Sequence, residues 1–378
     1  MLIATKKFNI VKLFLKKSIF NENIIEIILK YYWNILDNKK KILLNWINIK
    51  KLNWIELTKN ADALDLLKHN FDLILNTQNY LSINQDINWF SLSQNINAID
   101  LLENNKNKIN WHYLSINPNA INLLTEKLEF EKKLTYKEYN ELKSYQKINW
   151  DLLSSNINGY TLLKNKIKYE NNLTFEEYYE LKSYEKINWN RLSSNPNTID
   201  LLKQNKNKIN WSWLSTNPNA IDLLKKNQDK INWSSLSTNP NAIDLLKKNQ
   251  DKINWDKLSS NPNAIDLLKE NKNKIDWDKL SSNPNAIELL KENQHKINWN
   301  YLSGNLKAID LLKQRIEYEN NLTSYEYEEL ELYEKINWSW LSINPNAIDL
   351  LKNNQCKINW NYLSKNSSIF INEEMPII

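Results

Sequence analysis

The stretch Lys208–Asp229 reads KINWSWLSTNPNAIDLLKKNQD, and nearly the same string begins again at Lys230, Lys252 and Lys274. Each copy carries one tryptophan in a fixed place. Followed outward, this marker recurs at Trp54, Trp89, Trp111, Trp150, Trp189, Trp211, Trp233, Trp255, Trp277, Trp299, Trp338 and Trp360. Most gaps are 22 residues. Three are 39, one unit plus 17 inserted residues. The gap from Trp54 to Trp89 is 35 and holds NYLSIN at 79–84, which reads as a decayed unit. Strict self-similarity at a short period marks an array in which each unit covers its neighbour's apolar face. Twelve units are expected over residues 52–373, after a basic helical cap or adaptor (1–51) and before a short tail (374–378).

The positions of the unit read as two short helices. The residue before the marker is Asn in eleven units and Asp276 in the twelfth, both good N-caps. Leu214 and Ser215, three and four residues after Trp211, share its helix face. Asn217-Pro218 is a second helix start, with the cap at Asn and proline in the first turn. Ala220, Ile221, Leu223 and Leu224 then form a wide apolar face, and Asp222 pairs with Lys226 on the surface. Helices of roughly six and ten residues are not stable alone in water, so stacking has to hold them. The expected fold is all-α, an elongated α-solenoid on the order of 100 Å long at ~8–10 Å per layer, with the marker tryptophans in its core. A 22-residue period also suits a leucine-rich horseshoe, but that motif puts the polar Ser212 and Asn219 on apolar sites.

The insertions share the pattern KLTYKEYNELKSY, NLTFEEYYELKSY and NLTSYEYEELELY. Thr135 with Glu138, Thr174 with Glu177 and Thr323 with Glu326 are capping boxes, so each insertion adds one amphipathic helix. Such a helix either adds packing or docks a partner.

The INW-x-x-LS-x-NPNAI-x-LLK-x-N unit, over Leu52–Glu373, resembles tandem repeats in proteins of large nucleocytoplasmic DNA viruses. The composition agrees with an AT-rich genome, for only Arg191 and Arg315 of 50 basic residues are arginine. The resemblance implies a viral protein of the infected cell's cytoplasm or the virion, and it implies no activity or cofactor. Before the repeats, NIIEIILKYYWNIL looks like either a simple cap or a short F-box-like adaptor.

Chemistry is sparse. His69, His112 and His295 are far apart, no Cys/His spacing suits zinc, and two glycines cannot build a phosphate loop. The lone Cys356 reads as a surface substitution and fits a reducing compartment. No catalytic residue, metal or cofactor is expected. Residues 1–50 carry a net +7, leaving −1 for the rest of a +6 chain. Nucleic-acid binding is therefore expected, if anywhere, of the N-terminus and not of the array. No apolar run is long enough to span a membrane, and lysines interrupt the N-terminal apolar stretches, which argues against secretion.

One slot varies while the rest repeats: the residue two after each marker, about 200° round the helix from the tryptophan. It holds Glu56, Ser91, Tyr113, Leu152, Arg191, Trp213, Ser235, Lys257, Lys279, Tyr301, Trp340 and Tyr362. Aromatics and cations on a monotonous scaffold suggest a recognition surface. Tyr113, Arg191, Trp213, Lys257, Lys279, Tyr301, Trp340 and Tyr362 are the expected partner-binding residues, with the cations forming an electropositive stretch. The expected function is a non-enzymatic scaffold for a viral or host protein partner. A structural component of the virion is the second choice and nucleic-acid binding the third.

Overall fold

Residues 40–69 and 88–373 are described by the structure, a computed structural model. They form a regular succession of short helices, mostly helical as the sequence predicts. The expected cap and the NYLSIN stretch lie largely outside the described residues, as does the tail 374–378. In the unit of Trp211, Asn210 caps the helix Trp211–Thr216 by accepting the Trp213 N–H. A 3-10 turn follows at Pro218–Ala220, a helix at Ile221–Lys225 and a second 3-10 turn at Gln228–Lys230. The expected ten-residue helix is thus a tight turn and a five-residue helix. Ala220 sits off the α-helical region at φ −91° and ψ 1°. Asn227 (φ −136°, ψ 52°) ends the helix, and its amide donates back to the Leu223 carbonyl at 2.8 Å. That bond satisfies one of the carbonyls a helix end leaves free.

The core is a stripe through the whole array. Leu214 and its eleven counterparts from Leu57 to Leu363 are completely buried, with Ala220 and Leu224 beside them. The marker tryptophans are core on one face only. Trp54 and Trp150 are buried and the others are half-buried, packed against that stripe. A cation from the next unit covers the other face: Lys230 lies 5.0 Å from the Trp211 ring centroid, and Lys252 4.8 Å from that of Trp233. The attraction of an ammonium for a ring face adds about 0.5–1 kcal/mol at a partly exposed site.

The units are joined through one side chain. The Asn217 oxygen accepts the Asn219 N–H and so caps its own turn. Its amide nitrogen donates to two backbone carbonyls of the preceding unit, Ser193 at 2.9 Å and Asn195 at 3.0 Å. Asn239 repeats this on Ser215 and Asn217, and Asn261 on Ser237 and Asn239. Ser215 adds a second link. Its hydroxyl donates to the Trp211 carbonyl and accepts the Asn232 N–H of the next unit.

Followed in both directions, the ladder has no end. Asn95 donates directly to Thr58 and Asn60, so no further unit interrupts it between Trp54 and Trp89. Asn60 donates to the Ser364 and Asn366 carbonyls, both at 3.1 Å, across 304 and 306 residues. The first unit therefore packs on the last as any unit packs on its predecessor. Asn53 N–H donates to the Ser364 hydroxyl, and Lys51 lies over the Trp360 ring at 5.1 Å. Lys41–Leu43 pairs antiparallel with Phe370–Asn372, Ile42 opposite Ile371, and seals the junction. Residues 40–51 thus contribute a strand and the 3-10 turn Ile49–Lys51 rather than a helix.

The elongated stack expected from the sequence is overturned: the twelve asparagines form a closed ring. Twelve layers at ~8–10 Å make a circumference of about 100–120 Å, hence about 30–40 Å across between helix axes. Those two three-residue strands are the only ones among the described residues, which excludes the leucine-rich horseshoe there.

Asn261→Asp keeps the shape and the cap but turns a carboxylate onto two carbonyls. It is expected to lower the unfolding free energy by ~3–5 kcal/mol at pH 7. Asn263→Asp, an exposed position with one bond to the Pro262-equivalent Pro240 carbonyl, should cost about 1 kcal/mol. Denaturant titration of both variants distinguishes them; equal losses would mean the ladder does not hold the units.

Candidate partner-binding surface

The first helix of a unit buries its Leu and Ser and half-buries its Trp; its third residue is exposed at Trp213 and from Lys257 on, and buried at Ser91. Successive first helices pack on each other at several junctions, Trp189–Ser194 on Trp211–Thr216 and Trp338–Ile343 on Trp360–Leu363 among them, and at each insertion the preceding first helix packs on the insertion's 3-10 turn. Lys257, Lys279, Tyr301, Trp340 and Tyr362 stand on five consecutive units, and all are exposed. Neighbours in the row touch: the Lys279 ammonium is 5.4 Å from the Tyr301 ring centroid. Trp340 lies across Gly304 of the preceding unit and is still 49% exposed. A Cβ at Gly304 would come within 2.6 Å of that ring, so this glycine makes the room for it. At the closing junction Lys365 covers the Tyr362 ring at 5.0 Å and reaches the Glu56 carboxylate at 3.4 Å.

The remaining expected residues are placed less freely. Trp213 is 47% exposed, but it stands two units away from Lys257, beyond Ser235. Arg191, on the unit before it, is held 3.3 Å from Asp151. Tyr113 is half-buried against Phe90, with ring centroids 3.9 Å apart. The electropositive stretch is not what the structure has. Asp256 and Asp278 directly precede Lys257 and Lys279, and Asp151 neutralises Arg191. The surface is a row of aromatics among balanced charges.

Sequence reasoning missed how the insertions are built. Sixteen residues after the marker, ordinary units carry the helix-ending asparagine, such as Asn205 or Asn227. The units with insertions carry Lys127, Lys166 or Arg315 there, and the second helix runs on to eleven or thirteen residues. The cation reaches back over its own marker, as Lys166 does at 5.2 Å from the Trp150 centroid. One turn later Glu131, Glu170 and Glu319 are buried, and each accepts the N–H of the isoleucine that opens the next unit. The signal was present as the swap of Asn for Lys or Arg.

Beyond these helices lie the three capped six-residue helices, Tyr136–Glu141, Phe175–Glu180 and Ser324–Glu329, each with the expected capping box. None of them buries a residue completely. Tyr136 is 83% exposed and Phe175 78%. Between the first two insertions is a cleft of about 610 Å³, lined by Tyr136, Tyr139, Trp150, Lys166, Tyr169 and Glu185 among others.

Burial raises the Glu131, Glu170 and Glu319 carboxyls above the usual range, against the pull of the isoleucine N–H and the nearby cation. Burial likewise lowers the Lys127 and Lys166 ammoniums. Among the described residues there is no group of three or more His, Cys, Asp or Glu side chains that could hold a metal ion. Nor is any helix among them long and apolar enough to cross a membrane. No protein-family model, curated protein or solved structure matches the chain.

The raised carboxyls make a pH signature. A carboxyl with a raised folded value contributes its full stability below the unfolded value, about 4.3, and loses it as pH rises through the folded value. Glu170→Gln keeps an acceptor for the Ile187 N–H but does not titrate. Its melting temperature relative to the parent should therefore rise between pH 4 and pH 7. A difference that stays flat over that range would mean the carboxyl is not held in a dry site.

Proposed function

We propose that this chain is a non-enzymatic scaffold for protein–protein interaction: a closed α-solenoid of twelve two-helix units with three helical insertions. The observation that carries this reading is the exposure of large aromatics on a frame whose every junction is hydrogen-bonded. Trp213, Tyr301, Trp340 and Tyr362 are presented by short helices that cannot move without breaking a junction on each side. Rigid aromatic anchors lose little freedom on binding, and such residues dominate the energetics of known interfaces. The resemblance of the repeat unit to giant-virus proteins supports a viral setting, in the infected cell or the virion. The exposed insertion helices favour a second reading, a structural component whose copies contact one another. Nucleic-acid binding rests on the basic N-terminal segment alone.

The test is the pair Trp213→Ser and Trp340→Ser in one chain, used to capture partners from infected cells. Losing an anchor of this kind costs about 2 kcal/mol or more, roughly thirtyfold in affinity. The double variant should lose its partner while its helical content and melting temperature stay those of the parent. Retained capture would remove the slot from the interface. A salt-sensitive complex of residues 53–366 with duplex DNA or RNA would favour the nucleic-acid reading instead.

A further inference from the structure

The first two insertions sit on adjacent units, and the second covers the first. Lys147, which opens the unit after the first insertion, lies over that insertion's Tyr139 ring at 4.1 Å. Glu185, in the 3-10 turn Ser183–Glu185 of the second, sets its Oε1 3.7 Å from the Lys147 ammonium. Its Oε2 stays at home and accepts the Lys182 N–H at 2.9 Å. Tyr184 of the same turn reaches the His112 ring, with centroids 6.4 Å apart. The result is a dry contact: Lys147 and Glu185 are both buried.

The halves of this contact recur elsewhere without their complements. The second insertion repeats the receiving side. Lys186 lies over Tyr178 at 4.7 Å, its ammonium donates no hydrogen bond to the described residues, and the next unit carries no insertion to cover it. Beside it Phe175 and Tyr179 are largely exposed. The third insertion repeats the giving side. In the turn Leu332–Glu334, Glu334 Oε2 accepts the Glu331 N–H at 2.9 Å, as Glu185 does with Lys182. Leu332 is 73% exposed, and Tyr333, the counterpart of Tyr184, 53%. The preceding unit has no insertion for this turn to cover. The receiving side of the third insertion is already engaged, since Lys335 donates to the Glu328 carbonyl at 3.3 Å.

We infer that the turn Leu332–Glu334 of one copy of this chain docks on the Tyr178–Lys186 face of another, repeating between copies the contact that Glu185 makes with Lys147 within one. The charges are complementary, and the occupant's shape is the one the receiving face already accepts inside the chain. The two halves belong to units six steps apart on a ladder of twelve, so they lie on opposite sides of the ring. A contact of this head-to-tail kind does not close between two copies and extends into a chain of rings. It involves none of the residues of the variable slot, so its failure leaves the partner-binding reading untouched.

The test is sedimentation velocity of the full chain over a range of concentrations at low salt. The parent is expected to associate progressively, less so at high salt. Lys186→Glu and Glu334→Lys should each weaken association at least tenfold, with melting unchanged, and the two together should restore it. Lys186→Gln and Glu334→Gln serve in their place if a charge reversal disturbs folding, each expected to weaken association. A parent that stays monomeric overturns the inference. So does association that neither change affects, or a double variant that stays as weak as the single ones.

Discussion

Everything in this fold hangs on a side-chain amide with a carbonyl oxygen on one side and two N–H donors on the other. Asn217 uses the oxygen to start its own turn and both donors to grip the unit before it. These groups are buried, so each bond left unmade would cost more than the modest net gain from making it. That explains a distinction within the repeat. Before the marker, where only an acceptor is needed, Asp276 replaces asparagine and still caps its helix. At the ladder position, where two donors are needed, all twelve residues are asparagine.

Closure follows from the same bond. An open array has two end units with an apolar face to hide, and such arrays usually need polar caps. Here Asn60 on Ser364 and Asn366, with Lys51 on Trp360, makes the last junction like the others. The strand pair of residues 41–43 and 370–372 then fastens the chain ends of the array. A ring also fixes where the insertions stand relative to one another, two on neighbouring units and the third across from the second.

The local structure was legible in the sequence. Asn-Trp as a helix start, Asn-Pro as a second start, the buried leucine three after the marker and the capping boxes all depend on neighbours in the chain or in the next unit. The ring was not legible, because a period of 22 says which units touch and nothing about the angle between them. The angle of the slot on the helix made its exposure legible at Trp213, Lys257, Lys279, Tyr301, Trp340 and Tyr362, and not the burial of Ser91. The slot's charge was legible at Lys257 and Lys279, each directly preceded by an aspartate, and not at Arg191, whose partner Asp151 lies forty residues away. The buried Glu170 and Glu319 look in sequence like any surface glutamate. Only the longer helix, set by Lys166 or Arg315 in place of asparagine, carries them inward.

The central claim is closure, and the distance between the first and last units tests it most directly. Lys59 and Lys365 both reach the Glu56 carboxylate, at 3.0 and 3.4 Å, although they are 306 residues apart. With Cys356 changed to serine and cysteines placed at positions 59 and 365, single-molecule energy transfer between two dyes reads that separation. A closed ring predicts nearly complete transfer, with dyes on the order of 20 Å apart given one layer spacing of ~8–10 Å plus the linkers. An open array of twelve layers would hold them on the order of 100 Å apart and give almost none.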